Sequence, residues 1–395
     1  MRLMGPRFGA PVGSESWWAH VALAGTPLTT RLDDARTRVT FLWRDPHGCE
    51  RRSSIRRVLI DVVSVTDHHR SVPEGLTRVP GTDVWFWSVD LESDWRGAYC
   101  FIPLADDLPP GTTDRRARWL SLLACSEPDP LNPIEPHAGA AGQRLSAAHL
   151  PDAPFQPEWG GGGDLDTARP HRLSWDSRRL GNTRRVWVHD TGGSDDQPLV
   201  LMLDGGYWAE AMPIFAALER ATRTGRLPGA THVLIDAVDR ETRSRELTCD
   251  DAFWEAVQHE LLPLVAGSAA VTQDPGRTVV AGQSFGGLAA LHAGLRRPGR
   301  FGKVLSQSGS FWWRDQVLIR DVEAAGTAPA PLDIFLEAGS HEAVILPVNR
   351  RLHGALAQAG HTSTFRVYSG GHDPLCWRGG MVDGLSLLLE SELQP

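Results

Sequence analysis

Five residues, Gly282-Gln283-Ser284-Phe285-Gly286, constrain this chain of 395 residues more than any other stretch. They follow the apolar run Thr278-Val279-Val280-Ala281 and lead into Gly287-Leu288-Ala289-Ala290-Leu291-His292, so a strand ends in a tight turn and a helix starts at once. A serine at such a junction reads as a nucleophile elbow. The turn lifts the hydroxyl above the strand end, and the new helix aims N–H groups without intrahelical partners at whatever the serine attacks. Glycines two positions either side of Ser284 are expected to let the backbone adopt the strained turn. The five-residue pattern also occurs by chance in Gly/Ser loops, and it is the strand before and the helix after that give it chemical meaning.

An elbow needs a sheet to stand on, and the sequence from about residue 164 supplies one. Strand candidates at Arg185 to His189, Leu199 to Leu203, His232 to Val238, Thr278 to Gln283, Lys303 to Ser306, Asp333 to Glu337 and Thr364 to Tyr368 alternate with helical stretches. The helices are expected near Ala209 to Ala221, Asp251 to Ala266, Phe285 to Arg296, Val344 to Ala359 and Gly379 to Leu393. This alternation predicts a mainly parallel sheet with helices on both faces, and ligands in such folds sit beyond the carboxyl ends of the strands. Residues from about Ser16 to Pro103 instead read as short strands at hairpin spacing with no long helix, which predicts a β-sandwich. Between these halves, residues 106 to 163 read as a connector because of their Pro-rich turns and the glycine run from Gly160. The expected domains are therefore 1–160 and 161–395.

Composition excludes some classes of function. A net charge of −8 argues against general nucleic-acid binding, which draws most of its affinity from a basic face. No stretch approaches the roughly 18 uninterrupted apolar residues of a membrane span, and Met1 to Ala10 lacks the apolar core of a signal peptide, so a cytoplasmic protein is expected. Five cysteines with no CxxC spacing fit reduced thiols, not a zinc site. The 15 tryptophans are the one compositional oddity; they read as packing residues, with some available to line an aromatic cleft.

A serine hydroxyl needs a neighbouring base. Gly370-Gly371-His372-Asp373 follows the last strand on a loop too glycine-rich for a core histidine, so His372 is the expected base, with His341 as its rival. The chain order serine, acid, histidine places the acid after the strand Asp333 to Glu337, where Glu342 stands; a surface carboxylate capping the next helix is the alternative. An ester's tetrahedral intermediate needs N–H donors, expected from Phe285 and from the loop Asp204-Gly205-Gly206, whose glycines Gly205 and Gly206 allow close approach.

Together these motifs resemble the enterochelin esterase family. The resemblance is carried by LDGGYWAE (203–210), RETRSREL (240–247), ELLPLV (260–265), AGQSFGGLAAL (281–291), SQSGSFWW (306–313), EAGSHE (337–342) and GGHDPLCWRGGMVDGL (370–385). In the N-terminal half DPLNP (129–133) and the strand around Trp43 are similar to that family's immunoglobulin-like domain. The resemblance implies an α/β-hydrolase domain behind that sandwich, and a cytoplasmic serine esterase that opens the trilactone of catecholate siderophores such as ferric enterobactin. It implies Ser284 as nucleophile, His372 as base and Glu342 as acid. No metal or organic cofactor is implied, and iron arrives with the substrate. A ferric tricatecholate is anionic and aromatic, so Arg243, Arg245 and Arg378 with Trp208, Trp312 and Trp377 are expected pocket walls. The alternatives are an esterase of the same architecture acting on feruloyl or other aryl esters, and a noncatalytic siderophore-binding protein.

Overall fold

The computed structural model describes residues 9–67, 73–105, 114–139, 142–160 and 169–393. They form two compact units: Met1–Phe155 together with Ser369–Leu375, and Gln156–Tyr368 together with Cys376–Pro395.

The first unit is a sandwich of two four-stranded sheets. It contains α1 (Glu15–Ala24), β1 (Leu28–Arg31), β2 (Arg36–Arg44), β3 (Arg57–Val62), β4 (Thr77–Arg78), β5 (Val84–Glu92), β6 (Arg96–Leu104), α2 (Arg115–Leu123), β7 (His137–Ala138) and β8 (Arg144–His149). The sheets run β1-β2-β5-β4 and β3-β6-β8-β7. Side chains alternate across each strand. Val39, Phe41 and Trp43 of β2 meet Val58, Ile60 and Val62 of β3 and Tyr99 and Phe101 of β6 in the inner layer. Leu42 of β2 turns outward under Trp17, Trp18 and Val21 of α1, while Leu59, Cys100 and Ile102 turn outward to Leu122 and Leu123 of α2. Each sheet is thus apolar on both faces, which is why these strands read as nearly continuous apolar runs.

Two expectations change here. The sandwich carries two short helices that its pattern did not show, and much of the supposed connector belongs to it. β8 pairs with β6 from Arg96↔His149 to Tyr99↔Ser146. Its small residues Ser146, Ala147 and Ala148 gave no strand signal, yet they are buried. Residues 161–163 of the expected glycine linker lie outside the described residues.

The second unit holds β9 (His171–Ser177), β10 (Asn182–Asp190), β11 (Leu199–Met202), α3 (Phe215–Arg223), β12 (Thr231–Ile235), α4 (Arg240–Glu246), α5 (Asp251–Ala256), α6 (Leu262–Ala266), β13 (Thr278–Gln283), α7 (Phe285–Arg296), β14 (Lys303–Gln307), α8 (Trp313–Ala325), β15 (Asp333–Gly339), α9 (Ile345–Gln358), β16 (Thr362–Tyr368) and most of α10 (Pro374–Leu388). The sheet order is β16-β15-β14-β13-β11-β12-β10-β9. From β12 to β16 the pairs are parallel, and only β9 and β10 join antiparallel. Alternate strand residues feed two cores: Val279 and Ala281 pack with α3 and α10, Val280 with α5, α6, α7, α8 and α9. This is an α/β-hydrolase sheet covered on both faces.

The expected helix over 251–266 is present but contains a π-helical turn at Val257–Leu261, just before Pro263, which has no N–H to donate. The expected helix from Ala209 is a π-helical turn at Tyr207–Ala211 followed, after Pro213, by α3. α10 begins earlier than its sequence pattern predicted and lies hard against its neighbours through glycine. A Cβ on Gly380 would stand 2.0 Å from Glu337 Oε1, and one on Gly384 2.7 Å from both Leu305 Cδ1 and Phe335 Cδ1. Glu337 cannot retreat, since Gln307 Nε2 and Arg366 hold its two oxygens. Gly380→Ala is therefore expected to destabilise the protein by about 1–3 kcal/mol, read as a lower urea midpoint; an unchanged midpoint contradicts this packing.

Candidate active site

Ser284 is the turn residue between β13 and α7, with φ 57° and ψ −119°. A β-carbon-bearing residue rarely holds a positive φ, and the cost falls on the serine itself. The flanking glycines were expected to relieve the turn, but neither has a positive φ. Gly282 serves a different purpose: a Cβ there would lie 2.4 Å from the backbone of Gly286, so glycine lets the strand and the first turn of α7 cross. A Cβ on Gly286 would meet Asp204 Oδ2 at 3.4 Å, Leu203 Cβ at 3.5 Å and Leu203 Cδ1 at 3.9 Å, all ordinary contacts. The strained serine is pinned by its neighbours. Its N–H donates to Gln307 O at 3.0 Å, its carbonyl accepts from Ser310 N–H at 3.0 Å, and its Oγ lies 3.2 Å from Ser310 Oγ.

A buried string of polar side chains underlies the elbow. Trp208 Nε1 donates to Gln283 Oε1 at 2.9 Å, Gln283 Nε2 to Gln307 Oε1 at 2.8 Å, and Gln307 Nε2 to Glu337 Oε1 at 2.5 Å. Burial pushes the Glu337 carboxyl up, against the opposing pull of Arg366. Buried polar groups satisfied in series hold one arrangement, since breaking any link strands a buried partner.

The oxyanion donors proposed from sequence lie on adjacent strand ends. β11 and β13 are neighbours, and Leu203 N–H donates to Ala281 O at 3.0 Å. Asp204 then takes a left-handed φ of 56°, and Gly205 and Gly206 open a helical turn. A Cβ on Gly205 would stand 2.6 Å from Ile235 N, so only glycine lets this loop lie on β12. Phe285 is the first residue of α7, where N–H groups lack partners within the helix.

Glu342 is buried, with Ser308 Oγ and Gly339 N–H donating to its Oε2 at 2.7 and 2.6 Å. It is no surface carboxylate, and it sits ahead of the Val344 cap of α9. His372 is half-buried and falls in the first unit, as part of Ser369–Leu375. That loop is tied down there by backbone groups: Arg96 N–H donates to Ser369 O at 3.1 Å and His372 N–H to Ser64 Oγ at 2.9 Å. Fully buried Asp373 accepts from Ala98 N–H at 2.6 Å and Leu375 N–H at 2.9 Å. Asp61 faces the same carboxylate, and burial followed by repulsion from Asp373 raises its carboxyl to about 6.

The six expected pocket residues have different fates. Trp208 is 1% exposed and bonded to Gln283, and Trp377 is buried with Nε1 donating to Ser308 Oγ at 2.9 Å. Both belong to the core between sheet and helices, where packing and not exposure holds them. Arg378 stacks over Trp159 and donates to Gln156 Oε1 at 2.7 Å. Arg243 is held in a two-bond fork by Asp204. Arg245 is exposed beside Glu246, and Trp312 is exposed with its ring 5.9 Å from that of Phe285. Ser310, which touches Ser284, was missed; only its place in SQSGSFWW after a strand end pointed to it.

Comparison with known proteins places these features in context. Residues 38–159 match the family model "Enterochelin esterase, N-terminal", and residues 177–388 match "Putative esterase". The chain is 51% identical to an iron(III) enterobactin esterase of Dickeya dadantii, covering 96% of this chain and 94% of that protein. It also resembles the crystal structure of a ferric enterobactin esterase from Salmonella typhimurium (46% identity, TM-score 0.88, 96% of this chain and 100% of that one). The structure of an enterobactin esterase from Shigella flexneri in the presence of enterobactin is similar as well (44% identity, TM-score 0.85, 97% and 100%).

The two elbow glycines should respond differently to a methyl group. Gly282→Ala is expected to slow labelling of Ser284 by a fluorophosphonate by about 10²-fold, because the added carbon meets backbone that cannot move aside. Gly286→Ala should label at nearly the wild-type rate. Equal behaviour of the two variants would contradict the crossing geometry.

Proposed function

Because the chain belongs to the enterochelin esterase family, we infer that it is a serine esterase hydrolysing the ester bonds of a catecholate siderophore trilactone of the enterobactin type, releasing iron from the ferric complex. The observation that carries the chemistry is the left-handed Ser284 held between β13 and α7, with a glycine loop beside it. Similarity to enterobactin esterases over nearly the whole chain, sandwich included, favours this substrate over other aryl esters.

The reaction follows from the chemistry of each group. Ser284 Oγ attacks an ester carbonyl as His372 takes its proton, and the oxyanion rests on N–H groups of Phe285 and the Gly205-Gly206 loop. Glu342 orients the imidazole and stabilises its charged form; Ser308 Oγ, Gly339 N–H and Tyr368 O–H, all donating to its Oε2, fix the carboxylate for that task. On collapse, His372 protonates the departing serine alkoxide. Opening a ring leaves the whole siderophore chain esterified to Ser284, so nothing departs until water, deprotonated by His372, attacks the acyl carbon. Trp312 and Arg245 face the aromatic, anionic substrate at the exposed rim. No described helix is long and apolar enough to cross a membrane, and the proposed location is the cytoplasm.

The test is mass spectrometry of the products formed from a panel of catecholate trilactones and simple aryl esters. Linear trimer, dimer and monomer are expected from the trilactones; cleavage of aryl esters alone would overturn the substrate. Ser284→Ala and His372→Ala should each lose at least about 10³-fold in turnover, and Glu342→Gln less. Undiminished hydrolysis by Ser284→Ala would end the mechanism.

A further inference from the structure

Arg243 lies in an arginine-rich segment that the sequence offered as a ligand for the substrate's negative charge. Its geometry is that of a clamp. From α4, Arg243 Nε donates to Asp204 Oδ1 at 2.5 Å and Nη2 to Asp204 Oδ2 at 2.7 Å, the two-bond fork that only a guanidinium makes with a carboxylate. Nη2 also stands 3.5 Å from Gln283 O, and the guanidinium lies 5.9 Å from the Phe285 ring centroid. Arg243 and Asp204 are 26% and 17% exposed, so solvent screens the pair only partly. The Asp204 carboxylate raises the guanidinium's proton affinity despite burial.

What this cation touches decides its role. Asp204 directly precedes Gly205-Gly206 and holds the left-handed φ from which that glycine turn starts. Gln283 and Phe285 flank the nucleophile on the other strand end. We infer that Arg243 is a positioning residue that fixes the spacing of the two halves of the oxyanion hole, through Asp204 on one side and the Gln283 carbonyl and Phe285 ring on the other. This rests on the reading above that Phe285 and the glycine loop receive the oxyanion. With its Nε and Nη2 engaged by Asp204, the guanidinium neutralises that carboxylate beside the developing negative charge. Donors displaced by about 1 Å lose most of their value in the transition state and little in the ground state.

The experiment is steady-state kinetics on full-length Arg243→Met, Arg243→Lys and Asp204→Asn, with an arylboronic acid as tetrahedral mimic. Asparagine tolerates a left-handed φ, so Asp204→Asn removes the charge while keeping the backbone preference. Each variant is expected to lose about 10²-fold in kcat with KM changed less than about threefold, and boronate inhibition should weaken in step with kcat/KM. The double variant Arg243→Met/Asp204→Asn should be no worse than the poorer single one, since both break one unit. Arg243→Lys keeps charge and stem, and it carries the comparison if the methionine variant does not fold. Raised KM with kcat and boronate affinity intact would overturn the inference and return Arg243 to the substrate. Ser284→Ala in the same assay separates the two levels: if it is as active as wild type, the reading of the site fails, whatever Arg243 does.

Discussion

One backbone crossing governs this active site. β13 must stop, reverse and restart as α7 within a single residue, and it does so with Ser284 in a conformation that a side chain disfavours. That strain persists only because the surroundings over-determine it. Gly282 removes the atoms that would block the crossing, Gln307 and Ser310 hold the serine's own backbone, and the chain of Trp208, Gln283, Gln307 and Glu337 fixes the sheet beneath. The glycines of α10 belong to the same arrangement, since Gly380 lets the helix settle on the carboxylate that ends that chain. Residues separated by about a hundred positions thus act on one turn.

The sequence made the elbow and the parallel sheet legible because both rest on strong local signals. β13 and α7 have the bounds their pattern predicts, Thr278–Gln283 and Phe285–Arg296. A run of β-branched residues ending in glycine, followed by alanine and leucine at helical spacing, leaves little alternative. The misses have equally physical causes. β8 is buried through Leu145, Ser146, Ala147 and Ala148, three of them small residues placed by their neighbours more than by their own hydrophobicity. β9 is an edge strand with mostly exposed side chains, and its apolar alternation is confined to Leu173 and Trp175. α2 opens with three arginines in four residues, which hides its apolar second half, and it gains its place by covering Cys100 and Ile102 of β6 with Leu122 and Leu123.

Side-chain roles were harder to read than elements. Tryptophan and arginine near a glycine-rich catalytic motif suggest a pocket for an anionic aromatic ligand, but residue type says nothing about direction. Trp208 points into the core because Gln283 needs a donor there, and Trp377 does the same for Ser308. Arg243 is claimed by a carboxylate 39 positions away in sequence, a pairing no local pattern reveals. Glu342 stands after β15, where chain order sought an acid, whereas its burial and the donors on its Oε2 had no sequence signal.

The seven residues Ser369–Leu375 carry a last consequence. They follow β16 in sequence, yet Ser64, Arg96 and Ala98 of the sandwich supply their hydrogen bonds, so a cut drawn along the polypeptide and a cut drawn through space disagree. An isolated hydrolase fragment would keep its histidine and shed that histidine's scaffold. Swapping sandwiches between relatives would graft foreign acceptors and donors under the same loop. The segment that carries the histidine thus takes its hydrogen-bond partners from residues some three hundred positions earlier in the chain.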